Sequence, residues 1–325
     1  VGIIDTLSEG FGRVARRSWL AAVPLALDVG IWLGPKLSIS RLSKQALAVL
    51  PDMSVLGSQY QQSAQMVQQW FTDLGESTNV LTLLSIHAWG LPGMTDGFAS
   101  PGPRAGATQR VLEIQSWSAL AGLIAMFGLV SLLLSCLYLS LVAQGARDEP
   151  LHLGHVLGVT WRAWSRLVAL TLVVALAFGT VSVAVIVAAS VLTVLSPQLG
   201  GIVLSIFTLV ALWFGVYASF ILFFGVRALV LDDVGVVRAI WSGFNVAHRN
   251  MLSALVFVVL INVIQTGLMY IWRLLDGRDL GVLAGMLGNA FVSTGLVMAS
   301  FIYYRDRFVA WQDAIAQAKA GEGQP

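Results

Sequence analysis

The sequence predicts an all-α protein of the membrane: a polytopic bundle of six transmembrane helices with a helical cap on the outer side. Three observations carry this. Of 325 residues, 57% are hydrophobic and 11% charged, against roughly 25% charged in an ordinary soluble domain, and mean hydropathy is +0.80. Six runs are apolar over lengths that suit a helix crossing about 30 Å of hydrocarbon, which takes about 20 residues. Several of the segments between them read as amphipathic surface helices rich in Arg and Trp or Phe. A soluble fold has too little interior to hide that much apolar surface, so lipid must cover it.

Residues 1–17 form an amphipathic segment holding Asp5, Glu9, Arg13, Arg16 and Arg17. The first span, 18–35, runs from Ser18 to Pro35; no small-residue cleavage site follows it, so it is expected to be retained rather than removed as a signal peptide. Residues 36–115 form the cap. This segment is Gln-rich and amphipathic over Ser38 to Leu50 and again over Ser54 to Leu74, with a break at Pro51, which predicts two surface helices. The following "NVLTLLSIHAWGLPGM" is apolar but too short to span before Pro92, and its Trp89 suits a headgroup layer. "GLPGMTDGFASPGPRAG" is turn chemistry without periodicity. Residues 116–304 hold five more spans: Trp117 to Ala143, Leu167 to Leu195, Gly201 to Leu231, Met251 to Leu275 and Val282 to Tyr304. Only "SPQLGG" separates the third span from the fourth, so those two form a tight hairpin. Residues 305–325 are a tail.

Basic residues set the orientation. With both termini cytoplasmic, twelve of the 19 Lys and Arg fall inside and seven outside, five of those seven within the long cap. The short outer loops then keep only Arg273 and Arg278, beside Asp276 and Asp279.

Three stretches look alike: "SEGFGRVARRSWLAAVPLAL", "GHVLGVTWRAWSRLVALTLV" and "VVRAIWSGFNVAHRNMLSALV". Each is an inner amphipathic helix of about four turns leading into a rising span, and each rising span is followed by a descending one. The expected architecture is three parallel units of surface helix plus hairpin. The passage "FFGVRALVLDDVGVVRAIWSGFNVAHRNMLSALVFVVLI" resembles the signature segment of the membrane domain attached to some bacterial glycerophosphodiester phosphodiesterases, which also occurs alone in six-span proteins. The counterparts are Val230 to Asp233 for the acidic turn, then Ala239, Ile240, Trp241 and Ser242, with Trp and Ser in swapped order. The resemblance covers mainly residues 201–261. It implies a fold and a bacterial cytoplasmic membrane. It carries no catalytic motif, and the hydrolase domain of that family is not among these residues.

The chemistry-bearing residues exclude more than they propose. Scattered basic residues give no nucleic-acid footprint. Cys136 is the single cysteine, so an intramolecular disulfide and a cysteine metal site are excluded. His87, His152, His155 and His248 all lie outside the spans, which removes a bis-histidine haem in the bilayer. "DEPLHLGH" puts Asp148, Glu149, His152 and His155 close together, with the histidines on one helical face, but the ligand set is incomplete and no metal is expected. No HExxH, GxSxG or phosphate-loop pattern is present, so the chain is expected not to be an enzyme and to need no cofactor.

Two polar groupings remain. Arg16, Arg17, Arg162, Arg166 and Arg249, beside Trp19, Trp161, Trp164 and Trp241, suit contacts to anionic lipid headgroups as well as plain topology anchoring. Within the spans, Asp28, Asn262, Gln265 and Asn289 form a candidate polar hub. Asn262 and Gln265 share one face of the fifth span, Asn289 and Ser293 one face of the sixth, and both faces should point inward. Asp28 falls near mid-bilayer, where an ionised carboxylate is costly, so it is expected to be protonated or water-bridged. The expected role is a non-enzymatic scaffold or accessory subunit that binds membrane lipids, partner membrane proteins or both, through its outer cap and inner amphipathic helices. The alternative is a transporter or permease-like protein for a small or lipidic solute, working through the face around Asp28.

Overall fold

The computed structural model describes residues 2–49, 58–85, 110–147, 152–275 and 279–322. The chain is an all-α membrane protein, and among the described residues five helices are long and apolar enough to cross a bilayer. A shorter apolar stretch, Ser18–Leu33, precedes them. In chain order the helices are α1 (Ile3–Arg16), α2 (Ala22–Leu33), α3 (Ser40–Val49), α4 (Ser58–Ser77), α5 (Trp117–Ala146), α6 (Leu153–Leu195), α7 (Pro197–Leu231), α8 (Val236–Arg249), α9 (Met251–Arg273) and α10 (Asp279–Glu322). The chain divides into two compact units, 1–10 with 139–261 and 298–325, and 11–138 with 262–297.

In the second of these, the first apolar run is broken. A 3-10 turn over Ser18–Ala21 replaces a full helical start, and α2 is only 12 residues long. Gly34 leaves it in an extended conformation, as the residue before a proline does. Trp32 of α2 packs with Val282 and Met286 of α10, flanked by Leu25, Val29 and Trp272.

The cap contains the two surface helices that the Gln-rich pattern predicts, as α3 and α4; Pro51, His87, Trp89 and the Gly/Pro stretch lie outside the described residues. It also contains a pairing that periodicity could not reveal. Strands β1 (Lys36–Ser38) and β2 (Val111–Glu113) run parallel, with Lys36 opposite Val111 and Ser38 opposite Glu113. They fasten the start of the segment to its end. Asn79 accepts from Leu37 N–H at 3.0 Å and Leu81 N–H at 3.1 Å, which ties the 3-10 turn Val80–Ser85 to β1. Leu42, Val80 and Ile114 form the cap's core with Leu120, Leu123 and Phe127 of α5 packed against it. Ser116 caps α5, its Oγ accepting from Ala119 N–H at 3.2 Å, the role serine fills at helix starts.

In the first unit, α6 and α7 form the tight hairpin. Ser196 alone stands between them, Pro197 begins α7, and proline suits that first position because its missing N–H is not needed there. A side chain at Gly200 would collide with Thr193. The amphipathic segment before the third span does not end where the span begins: α6 is one helix of 43 residues. By contrast α8 and α9 part at Asn250, whose backbone leaves the helical region. The three similar stretches thus enter their spans by three different junctions.

α8 buries Ala239, Ser242, Gly243, Val246 and Ala247, the spacing of one helical face. That face lies close against α7, because a Cβ at Gly243 would stand 2.6 Å from Gly225 N and Ile221 O. Gly243→Ala should therefore lower the thermal unfolding midpoint in detergent, costing about 1–3 kcal/mol as overpacking does. Gly179→Ala, where a Cβ meets nothing within 4 Å, should leave the midpoint unchanged or raise it. Equal effects at the two positions would contradict the close crossing.

Candidate functional site

The polar groups of the first unit converge where α7 ends. Arg227 is 5% exposed. Its Nε donates to Ser300 Oγ at 3.0 Å, its Nη1 to Phe223 O at 2.6 Å, and its guanidinium lies 3.9 Å from the Phe223 ring centre. One turn later the helix stops at Leu231, and Arg147 at the end of α5 donates to the Leu231 carbonyl. A cation there satisfies an unpaired C-terminal carbonyl and suits the negative end of the helix dipole.

The turn that follows, "DDVG", carries two carboxylates with opposite fates. Asp233 has φ +49°, the one positive φ at a non-glycine residue among the described residues. That conformation strains a side-chain-bearing residue, though Asp tolerates it better than most. Two arginines of α6 hold it: Arg162 Nη2 lies 2.6 Å from Oδ2, and Arg166 Nη1 lies 2.9 Å from Oδ1 and 3.0 Å from Val234 O. Their hydrogen bonds and charges keep the Asp233 carboxyl below its ordinary pKa. Asp232 accepts from Tyr304 Oη at 2.8 Å. Desolvation by the surrounding protein raises its pKa, against the lowering from the Tyr304 hydrogen bond and from the charges of Arg147 and Arg238.

Tyr304 belongs to a run on α10, "SFIYYRDR", in which Ser300, Tyr303, Tyr304, Arg305 and Arg307 each reach another element. Ser300 accepts from Arg227 of α7. Tyr303 Oη bonds Ser253 Oγ of α9 at 3.0 Å, and Arg307 Nη2 reaches the same oxygen at 3.5 Å. Arg305 Nη1 donates to Ala146 O at the end of α5 at 3.0 Å. Apolar contacts fill the gaps: the Tyr303 ring stacks on Phe257 with centres 4.3 Å apart and lies 5.8 Å from Phe224.

Beside this cluster is a cavity of about 80 Å³, lined by Ser140 and Gln144 of α5, Arg147 just beyond its end, His155, Val156 and Val159 of α6, and Leu231, Asp232 and Asp233. Gln144 is 6% and Ser140 4% exposed. Neither end of the Gln144 amide has a hydrogen-bond partner among the described residues, nor does Ser140 Oγ. Leaving such groups unpaired costs about 1–3 kcal/mol each. These atoms are closed off from a water-sized probe as well as unbonded, so the unspent bonding capacity lies within the packing of α5 and not on an open surface.

The residues singled out from sequence are distributed as follows. Arg162 and Arg166 are both engaged by Asp233, one carboxylate for two guanidinium groups, which leaves one positive charge in excess there. Arg16 and Arg249 are exposed and Arg17 is half-buried. His155 lines the cavity and His152 precedes α6; Asp148 and Glu149 lie outside the described residues. In the other unit, Asp28 is fully buried and Asn289 is 3% exposed. Asn289 Oδ1 faces Ser293 Oγ at 3.4 Å and its Nδ2 has no partner among the described residues. Gln265 is half-buried, but Asn262 is exposed. The α10 run and Gln144 were missed from sequence. Tyr, Arg and Asp at a span's end read as interface anchors, though their position on the same predicted side as "LDDVG" was a usable signal.

The two aspartates predict opposite pH slopes. Asp233 has a lowered pKa, so its contribution is present above the ordinary carboxyl value of 3.8 and is lost as pH falls below it. Asp232 has a raised pKa, so its contribution is complete below 3.8 and fades as pH rises through the raised value. In thermal unfolding across pH, Asp233→Asn should flatten the acid limb and Asp232→Asn the limb above pH 3.8. Unchanged profiles in both variants would contradict the assignments. No family model, curated protein or solved structure matches this chain.

Proposed function

We propose that the chain is a six-span protein of the bacterial cytoplasmic membrane with both termini inside, built from three units of surface helix plus hairpin. In this reading it is a non-enzymatic scaffold or accessory subunit that binds membrane lipids and partner membrane proteins. The observation that carries the reading is the α6–α7 hairpin. In the most apolar window of each of its helices, 6% of residues are buried by the chain, against 61% in α10. Lipid alone can cover an apolar face, so exposure by itself does not call for a partner. Two further features favour one. Gly179 and Gly215 have open space where a side chain would stand, and small residues let a neighbouring helix approach closely. Trp213, Phe214, Tyr217 and Phe178 are at least half-exposed or nearly so, at 68%, 65%, 49% and 50%, and large aromatics are enriched where proteins meet.

The transporter alternative rests on Asp28, fully buried in α2, since an ionisable residue inside a membrane helix marks a pathway more often than a packing position.

Two experiments separate the readings. A photo-crosslinking residue at Trp213, in native membranes, should give a protein adduct of one discrete mass that the same probe at buried Phe301 does not give; lipid adducts alone would contradict the scaffold reading. In proteoliposomes followed with proton- and sodium-sensitive dyes, the chain should show no flux. A flux abolished by Asp28→Asn would establish transport instead.

A further inference from the structure

We infer that the first turns of α6 carry a site for the headgroup of an anionic phospholipid, seated on the helix surface at Gly154 and Gly158 against the guanidinium of Arg162. The inference rests on the lipid-binding part of the proposed function and names the lipid class and the place. Three features point there. The first is charge. Asp233 is one carboxylate held by two guanidinium groups, Arg162 and Arg166, and Asp232, beside it on the same turn, lies in the field of Arg147 and Arg238. Two carboxylates thus face four arginines, an excess of two positive charges. A headgroup with a net negative charge is drawn to that excess, and a zwitterionic one is not.

The second is where the excess is open. Arg162 spends Nε and Nη2 on Asp233, at 3.0 and 2.6 Å from Oδ2, and its Nη1 makes no hydrogen bond among the described residues. The side chain is 45% exposed, and Nη1 lies beside Gly158, where a Cβ would stand 3.4 Å from it. One turn earlier, a Cβ at Gly154 would meet nothing within 4 Å. Glycines four residues apart share one side of a helix, so they leave a shelf next to an accessible N–H donor, and a phosphate oxygen accepts strongly from guanidinium. Arg166 is less open, because its Nη1 serves Asp233 and the Val234 carbonyl.

The third is depth. Arg162 precedes by five residues the charge-free run that begins at Leu167, about 8 Å along a helix. Trp161 and, on α8, Trp241 are each 61% exposed at this end, and tryptophan gathers at the headgroup layer. Leu157 and Trp161 follow Gly154 and Gly158 by three residues, which places them beside the shelf. Both are exposed and offer apolar surface to the top of an acyl chain. A soluble phosphate would use the arginine and leave that surface uncovered, so the occupant is a lipid.

The full chain in nanodiscs of equal phosphatidylglycerol and phosphatidylcholine tests it. Native mass spectrometry, at collision energies that strip loosely held lipid, should show phosphatidylglycerol kept about fivefold over phosphatidylcholine, the advantage one arginine gives at an anionic surface. The double variant Gly154→Leu, Gly158→Leu fills the shelf and leaves both partners of the Arg162–Asp233 pair in place, and it should bring the ratio to about one. Gly179→Leu, the same change at an open position within the span, should keep the wild-type ratio. Leucine favours a helix over glycine, so the thermal midpoint of the double variant in pure phosphatidylcholine discs should not fall, which separates lost binding from lost folding. The inference is overturned if the double variant keeps the wild-type ratio, which would leave diffuse charge as the attraction, or if Gly179→Leu loses it too. Equal retention of both lipids by wild type would overturn this site and leave lipid binding standing, whereas retention of neither would overturn both. Hairpin crosslinking at Trp213 is independent of these outcomes, so the scaffold reading stands or falls separately.

Discussion

The first unit depends on the hydrogen bonds of one run, Ser300 to Arg307 on α10. In water, burial of apolar surface would choose which helices meet. In lipid that choice has little driving force, because an aliphatic side chain is covered equally well by an acyl chain. Specific neighbours must then be selected by polar bonds and by shape. The run supplies the bonds: Ser300 takes Arg227 from α7, Tyr303 and Arg307 share Ser253 of α9, Tyr304 takes Asp232, and Arg305 takes the last carbonyl of α5. Ser300, Tyr303 and Tyr304 are almost fully buried, where a lost partner is costly.

Shape supplies the rest, through glycines that admit a neighbour. Gly243 lets α8 lie on the α7 backbone. In the other unit, a Cβ at Gly288 would press into Trp272, and one at Gly295 into Phe11. The glycines of the α6–α7 hairpin differ, since Gly179 and Gly215 meet nothing in the chain. The same residue type thus marks internal crossings in one place and an open surface in another, and only three-dimensional placement tells them apart.

The fold class was legible because apolar run length is a physical requirement of crossing lipid, and the starts of α5, α7 and α9 fall within four residues of the expected ones. The cap helices were legible from amphipathic spacing. The β1–β2 pair was not, because three residues on each side carry no alternation and their pairing spans about seventy residues of chain. The continuous α6 was not, because nothing in "SRLVALTLV" marks or forbids a break. Of the site, the "LDDVG" turn was noticed for its resemblance but not for its partners. Sequence spacing relates residues within one helix, whereas Arg162, Arg166 and Tyr304 reach the turn from two others. Arg162 and Arg166, read from sequence as suited to a headgroup layer, also tie α6 to the turn through Asp233.

The turn between α7 and α8 is therefore a structural knot, and the α10 run fixes the position of Asp232 within it. A double-mutant cycle between Tyr304→Phe and Asp232→Asn, read as unfolding free energy in one detergent, tests that dependence most directly. A coupling of about 1–2 kcal/mol is expected for a buried bond to a carboxylate. Additivity within about 0.5 kcal/mol would contradict the claim that the α10 run holds the turn in place.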